Sequence, residues 1–189
     1  MKEKILIIWA GPAGLTLWFE LLSRAPDAYE IIIVDKLNQQ GRRENLKDIE
    51  DRIEFHEFDL IEEDKLRPIF EQGIDYVAHF AAETNVDRSI EDPDSFVSSN
   101  VDATNILLRL SRDFKVQRFH HVSTDEVFGE LSLDLNIKFN EETPYDPRSP
   151  YSATKAASDH IVRAYHATYG MHITISNCSN NYGPYQVPE

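Results

Sequence analysis

A single cysteine, Cys178, stands among the 189 residues. One thiol cannot close an internal disulfide and offers no metal-ligand pattern, so neither a disulfide scaffold nor a thiolate metal centre is expected, and a reducing cytoplasm fits. Basic residues are also scarce. Nineteen Lys and Arg against 33 Asp and Glu give a formal charge of -14, which argues against nucleic acid and anionic membrane as partners. No apolar run approaches the length that a bilayer crossing needs, and Met1-Lys2-Glu3-Lys4 leads directly into the strand-like Ile5-Leu6-Ile7-Ile8, with no signal peptide expected ahead of it. Internal repeats and low-complexity tracts are missing as well. What remains is a chain 41% hydrophobic, enough for one domain with a substantial core.

Its apolar residues come in short runs separated by helical patterns. Ile5 to Trp9 reads as a buried strand, Gly11-Pro12-Ala13-Gly14 as a tight turn, and Leu15 to Leu22 as a helix, together one nucleotide-binding unit. A second buried run, Ile31-Ile32-Ile33-Val34, ends in Asp35, where dinucleotide folds place the acidic residue that bonds the ribose hydroxyls. Ile53 to Phe58 and Tyr76 to Phe80 read as further strands, with a helix over Glu63 to Gln72 between them. Glu62-Glu63-Asp64 suits that helix's N-terminus, where negative charge is favoured. From Asp94 a helical stripe of Val97, Asn100, Val101, Thr104, Leu107, Leu108 and Ser111 follows. Val116 to Val122 is the next strand, and Leu131 to Pro150 a polar surface loop. The helix beyond it stops at Gly170, and His172 to Asn177 forms a last strand. Such alternation predicts a three-layer Rossmann fold, an α/β doubly wound parallel sheet with helices on both faces.

The chemistry-bearing residues gather at the end of the fifth strand and just beyond it. Ser123-Thr124-Asp125-Glu126-Val127-Phe128-Gly129 sets two carboxylates side by side, and Tyr151 and Lys155 lie four apart, on one helix face. A lysine ammonium near a phenol favours the phenolate, which brings a tyrosine toward the range of a general base. Adjacent carboxylates push their ionisations apart, so one can act as acid and the other as base. His120 and His121, like Trp9 and Trp18, read as packing residues, and Cys178 as a lining thiol with no activating base beside it.

With a glycine turn and an acidic strand end in front of them, these motifs resemble the extended, sugar-nucleotide-modifying branch of the short-chain dehydrogenase/reductase superfamily. Within it, Ala81-Ala82-Glu83-Thr84-Asn85-Val86-Asp87-Arg88-Ser89, the Ser123 to Gly129 stretch, Ser149-Pro150-Tyr151-Ser152-Ala153-Thr154-Lys155 and Asn177-Cys178-Ser179-Asn180-Asn181-Tyr182-Gly183-Pro184-Tyr185 are similar to signatures of the dTDP-glucose 4,6-dehydratase family. The 4-epimerases of the branch lack the Asp-Glu pair. The resemblance implies an NAD-dependent lyase of deoxysugar biosynthesis that converts dTDP-glucose to a 4-keto-6-deoxy sugar nucleotide. Tyr151 is then the base for the 4-hydroxyl with Lys155 beside it, Thr124 holds that hydroxyl, Glu126 removes the C5 proton and Asp125 protonates the leaving C6 hydroxyl. Carried over residue by residue, cofactor contacts fall to Gly11, Gly14, Leu15, Thr16, Asp35, Lys36, Asn38, Asp59, Leu60, Ala81, Ala82, Ser99, Tyr151, Lys155 and Asn181. Substrate contacts fall to Thr84, Thr124 and Asn180, and no metal is implied. The helices from Asp94 and from Ser152 imply a homodimer.

Two departures bear on this expectation. The family's Gly-x-x-Gly-x-x-Gly has Leu17 at its third position, and Trp9 and Ala10 precede Gly11. Because that glycine permits close helix–strand packing, Leu17 should push the helix away or need a compensating cavity. The local string is also similar to a flavin-type turn, with Trp9 where that motif's first glycine belongs. Arg42 and Arg43 could meet a 2′-phosphate, but Asp35 repels one, so NAD is expected over NADP. The resemblance further implies a substrate domain beyond Glu189. The expected organisation is therefore one NAD-binding domain over 1–189 with the substrate domain absent. Two readings stand beside the leading one: another reaction of the branch, such as 4-epimerisation or decarboxylation, and a catalytically silent nucleotide-binding module. Thymidine and uridine remain equally open as the base.

Overall fold

The structure, a computed structural model, describes residues 2–8, 16, 17, 20, 21, 23–25, 27–37, 42–131 and 138–182. Trp9, Gly11, Gly14, Leu15, Trp18 and Asn38 lie outside them. Six strands, β1 (Glu3–Ile8), β2 (Tyr29–Asp35), β3 (Glu54–Glu57), β4 (Tyr76–His79), β5 (Arg118–Thr124) and β6 (Ile173–Cys178), make one sheet in the order β3-β2-β1-β4-β5-β6. Every neighbouring pair is parallel. This is the doubly wound Rossmann arrangement that the alternation of elements predicts.

Helical residues are found at 16, 17, 20, 21, 23 and 24 (α1). They are followed by α2 (Glu63–Glu71), the short α3 (Val86–Glu91) and α4 (Pro93–Phe96), α5 (Ala103–Asp113) and the long α6 (Pro150–Tyr169). Strand residues of opposite parity face opposite layers. Leu6, Ile8, Ile32, Val34, Val77 and Phe119 pack with Leu66, Ile69 and Phe70 of α2, Leu107, Leu108 and Leu110 of α5, and Val162 of α6. Ile5, Ile7, Ile31, Ile33 and Ala78 form the other core with Leu46 and Ile49. Leu17 and Leu21 of α1 pack against this second core. Leu17, at the third glycine position, is therefore half-buried against isoleucines of the sheet.

Two expectations need correction. The fifth strand runs from Arg118 to Thr124, two residues later than the apolar run suggests. Lys115 adopts a left-handed φ of 58° and Val116 N–H donates to Ser111 O, so both belong to the turn after α5. The helix expected from Asp94 is interrupted by a π segment, Val97–Asp102. One widened turn rotates what precedes it out of phase, so Phe96 is fully buried whereas Val97 is 44% exposed, off the stripe.

Candidate active site

Parallel strands leave their C-terminal ends at one sheet edge, and there the loops after β2, β3 and β4 enclose a pocket. Val34, Asp35, Lys36, Phe58, Asp59, Leu60, Ala81, Ala82 and Ser99 line it. Seven of these, Asp35, Lys36, Asp59, Leu60, Ala81, Ala82 and Ser99, are expected cofactor contacts, brought together from four separate segments of chain. The lining combines apolar walls with carboxylates at the ends of two strands, a chemistry suited to an aromatic base and its ribose hydroxyls. Asp35, 7% exposed, accepts a bond from Leu37 N–H at 2.7 Å.

An ion-pair network braces this pocket. Lys36 Nζ lies 2.9 Å from Glu83 and 3.5 Å from Asp59, and Arg88 approaches Glu83 at 3.4 Å. Burial works against the Lys36 charge, but Glu83 and Asp59 outweigh it and raise its pKa. Asn100, buried in the π segment, fixes the loop that carries Glu83. Its Oδ1 accepts from Glu83 N–H at 2.8 Å, while its Nδ2 donates to Glu83 O and to Thr154 Oγ1, each at 3.0 Å. Asn100 O accepts hydroxyls from Thr104 and Ser158, both at 2.6 Å. The sequence marks Asn100 only as part of an apolar stripe, and a polar residue there was the available signal.

The second group stands on the neighbouring strand β5, at the same edge. β5 ends at Thr124, which caps a 3₁₀ turn, Asp125–Phe128, by accepting from Glu126 N–H at 3.2 Å. Thr124 Oγ1 lies 3.4 Å from Asp125 Oδ1, and Asn177 Nδ2 of β6 donates to Thr124 O at 3.1 Å. Asp125 and Glu126 are both half-buried at the rim while Val127 and Phe128 turn inward. Gly129 closes the turn at φ 89° and ψ -140°, a conformation that side chains other than glycine's reach only with strain. A Cβ there would meet Asp146 O at 2.7 Å.

Across from this turn, α6 begins with a capping box. Ser149 Oγ accepts from Ser152 N–H at 3.0 Å and Ser152 Oγ from Ser149 N–H at 2.9 Å, with Pro150 at the first helical position. These devices fix where the first turn starts, and so place Tyr151 and Lys155 one above the other, 7% and 3% exposed. Lys155 Nζ donates to Val122 O at 2.8 Å, docking the helix onto β5. Burial lowers its pKa from 10.5 to about 8, partly offset by Asp159 and Cys178.

Beneath the pair lies a buried polar cluster that the sequence reading passed over. Asp159 Oδ2 accepts from Ser123 Oγ and from Tyr145 Oη, each at 2.8 Å, and Oδ1 faces His121 Nε2 at 3.3 Å without good hydrogen-bond alignment. His79 stands beside His121, ring centroids 5.2 Å apart, and meets Thr104 Oγ1 at 2.9 Å. Since that hydroxyl already donates to Asn100 O, His79 donates its Nε2–H, which assigns its neutral tautomer. Burial first, and Lys155 second, hold His121 at about 4. His121 therefore serves packing, and His120 bonds Thr174. Asp159 falls at helical spacing from Tyr151 and Lys155, a signal that periodicity alone contained.

Thr84 is half-buried in the loop after β4, Thr16 is exposed on α1, and Asn180 and Asn181 are exposed just past β6. Cys178 is half-buried and free. Among the described residues no cluster of His, Cys, Asp or Glu could hold a metal, and no helix is long and apolar enough to cross a membrane.

The chain is similar to dTDP-glucose 4,6-dehydratase of Mycobacterium tuberculosis, 45% identical over 177 residues that make up 94% of this chain and 53% of that protein. Among solved structures it is similar to the dTDP-glucose 4,6-dehydratase of Streptomyces venezuelae with NAD and TYD bound, at a TM-score of 0.90 and 41% identity over 97% of this chain and 57% of that one. It is also similar to the UDP-glucose 4-epimerase of Thermus thermophilus in complex with NAD, with a TM-score of 0.89 and 29% identity over 98% and 58% of the two chains. The chain thus spans about half the length of the curated relatives that it matches. A family model described as GDP-mannose 4,6 dehydratase matches residues 9–189, and the chain belongs to that family.

Proposed function

We propose that residues 1–189 are the NAD-binding domain of a dTDP-glucose 4,6-dehydratase, a lyase that yields the 4-keto-6-deoxy sugar nucleotide. One observation carries this reading. A pocket lined by Asp35, Lys36, Asp59, Ala81 and Ser99 and the expected acid–base residues Thr124, Asp125, Glu126, Tyr151 and Lys155 share one sheet edge. NAD bound along that edge supplies a hydride acceptor at C4 and a hydride donor at C6. Asp35 takes the ribose hydroxyls, while Lys36, Asp59, Leu60, Ala81, Ala82 and Ser99 enclose the nucleoside.

Tyr151 accepts the proton of the sugar 4-hydroxyl, oriented by Thr124, as C4 is oxidised. The resulting ketone acidifies C5–H, and Glu126 takes that proton. Asp125 protonates the C6 oxygen, which leaves as water, and the proton on Glu126 returns to C5 as C6 is reduced. The Asp-Glu pair at the rim favours this elimination over the epimerisation performed by the structurally similar UDP-glucose 4-epimerase. The test is incubation of the chain with dTDP-glucose and NAD. Formation of the 4-keto product supports the reading, whereas an NAD isotherm without product assigns the chain to the silent nucleotide-binding module.

The protein works in the cytoplasm as a homodimer, in this reading. Ile90 and Val97, 65% and 44% exposed around the π segment, and Tyr169 at the end of α6, 51% exposed, supply apolar surface for pairing of the two helical regions. A dimer mass is expected at micromolar concentration, and a monomer mass would remove this part of the proposal.

A further inference from the structure

Asp159 has no exposed surface, yet three parts of the chain converge on it. From β5 come the Ser123 hydroxyl and His121, from the loop over the site comes the Tyr145 hydroxyl, and Asp159 itself belongs to α6, one turn beyond Lys155. Tyr145 is gripped in turn by Arg163, which donates to its Oη at 2.8 Å and covers its ring, and by the His160 ring at 5.2 Å. Buried carboxylates persist only where donors or an opposite charge satisfy them. At neutral pH His121 is uncharged, and Lys155, equally buried and one turn back on the same helix though beyond the 4 Å of a direct ion pair, is the cation that acts on Asp159 through space.

We propose that Asp159 is a positioning residue, whose carboxylate is the counter-charge of Lys155 and fastens β5, the 138–149 loop and α6 together beneath Tyr151. This rests on reading Tyr151 and Lys155 as the base pair of the site. The reason lies in burial. Lys155 is 3% exposed with one carbonyl partner, and an ammonium so enclosed surrenders its proton unless an anion stands near. An uncharged Lys155 no longer favours the Tyr151 phenolate. The other groups facing the cluster do not replace Asp159. His79 and His121 are neutral, Ser123 and Tyr145 are hydroxyl donors, Arg163 and His160 act through Tyr145, His120 lies on the opposite sheet face, and Cys178 on β6 is the remaining group near Lys155.

The experiment follows Lys155 and Asp159 by carbon-13 NMR in the whole chain without cofactor or substrate, with Lys155→Met assigning the lysine signal. It is independent of whether dTDP-glucose is the substrate. In the parent protein the Asp159 carboxyl signal should show an inflection at the pH where Lys155 titrates, about 8. Asp159→Asn should lower the Lys155 midpoint by about one pH unit or more, Asp159→Glu should restore most of it, and Tyr145→Phe, which keeps the carboxylate, should leave it in place. No inflection at the Asp159 carboxyl, an unchanged Lys155 midpoint in Asp159→Asn, or a fall in Tyr145→Phe as large as in Asp159→Asn would each overturn the proposal. The first measurement needs no substitution at Asp159, so a variant that fails to fold leaves the question decidable.

Discussion

In the proposed reaction Asp125 and Glu126, neighbours in one 3₁₀ turn, have different duties. Glu126 is tied by its N–H to Thr124 Oγ1, whereas Asp125 lies beside that same hydroxyl at 3.4 Å. Replacing Asp125 by Asn should therefore slow elimination more than oxidation. Tyr151→Phe should instead reduce oxidation itself by roughly 10²–10⁴-fold. Transient appearance of reduced cofactor against release of the 4-keto product separates the two. A second prediction concerns His121. Folded, it takes a proton only below about 4, while the unfolded chain takes one from the ordinary value of 6.5. Between those values the unfolded state carries the extra proton, so stability falls as pH drops through that window, by on the order of 3 kcal/mol. His79, also held well below its ordinary value by burial, acts with the same sign. Denaturant unfolding at several pH values should show this acid limb, and His121→Gln should flatten it.

At the level of elements, the turn after β5 depends on Gly129 as much as on its carboxylates. Asp146 N–H donates to Val127 O at 2.9 Å, so the loop over the site lies directly on the turn, with no room for a methyl group. Gly129→Ala should cost about 2–3 kcal/mol from conformation and contact together, lowering the melting temperature by about 4–12 °C. Calorimetry measures it. α6 illustrates the opposite case, in which local signals suffice. Ser149, Pro150 and Ser152 start it, Pro150 belonging to the helix and not to the loop before it, and Gly170, left-handed at φ 69°, ends it as the sequence indicates. The π segment is not local in this sense. Its Asn100 is held by Glu83 and Thr154, 17 and 54 residues away, and those bonds offset the poorer geometry of a widened turn.

For the molecule as a whole, the order β3-β2-β1-β4-β5-β6 sets the pocket at β2, β3 and β4 and the proposed acid–base set at β5 and α6 along a single edge. In the proposed reading a ligand that reaches both lies across the strands, as an extended dinucleotide does. NAD at about 100 times its Kd should raise unfolding free energy by about 2.7 kcal/mol and the melting temperature by about 5–11 °C. NADP should give a much smaller shift, because Asp35 meets the 2′-phosphate with its own negative charge. Equal shifts in a thermal melt would reject Asp35 as the discriminating residue.

Much of this was legible in the residues themselves. Apolar runs of strand length, punctuated by helical stripes, determine a parallel α/β sheet because each run must be buried on both faces. The end of each strand then falls where open parallel sheets place their ligands, which is why Asp35 and the stretch holding Thr124 could be picked out, whereas Asp59 came from the family resemblance. That Lys36 reaches Glu83, that Asn100 pins the loop carrying it, and that Ser123, Tyr145 and His121 meet on Asp159 were decided by tertiary structure alone. Those contacts join segments 14 to 47 residues apart across strand register and helix docking, and no local pattern encodes a distance between two elements until both are packed.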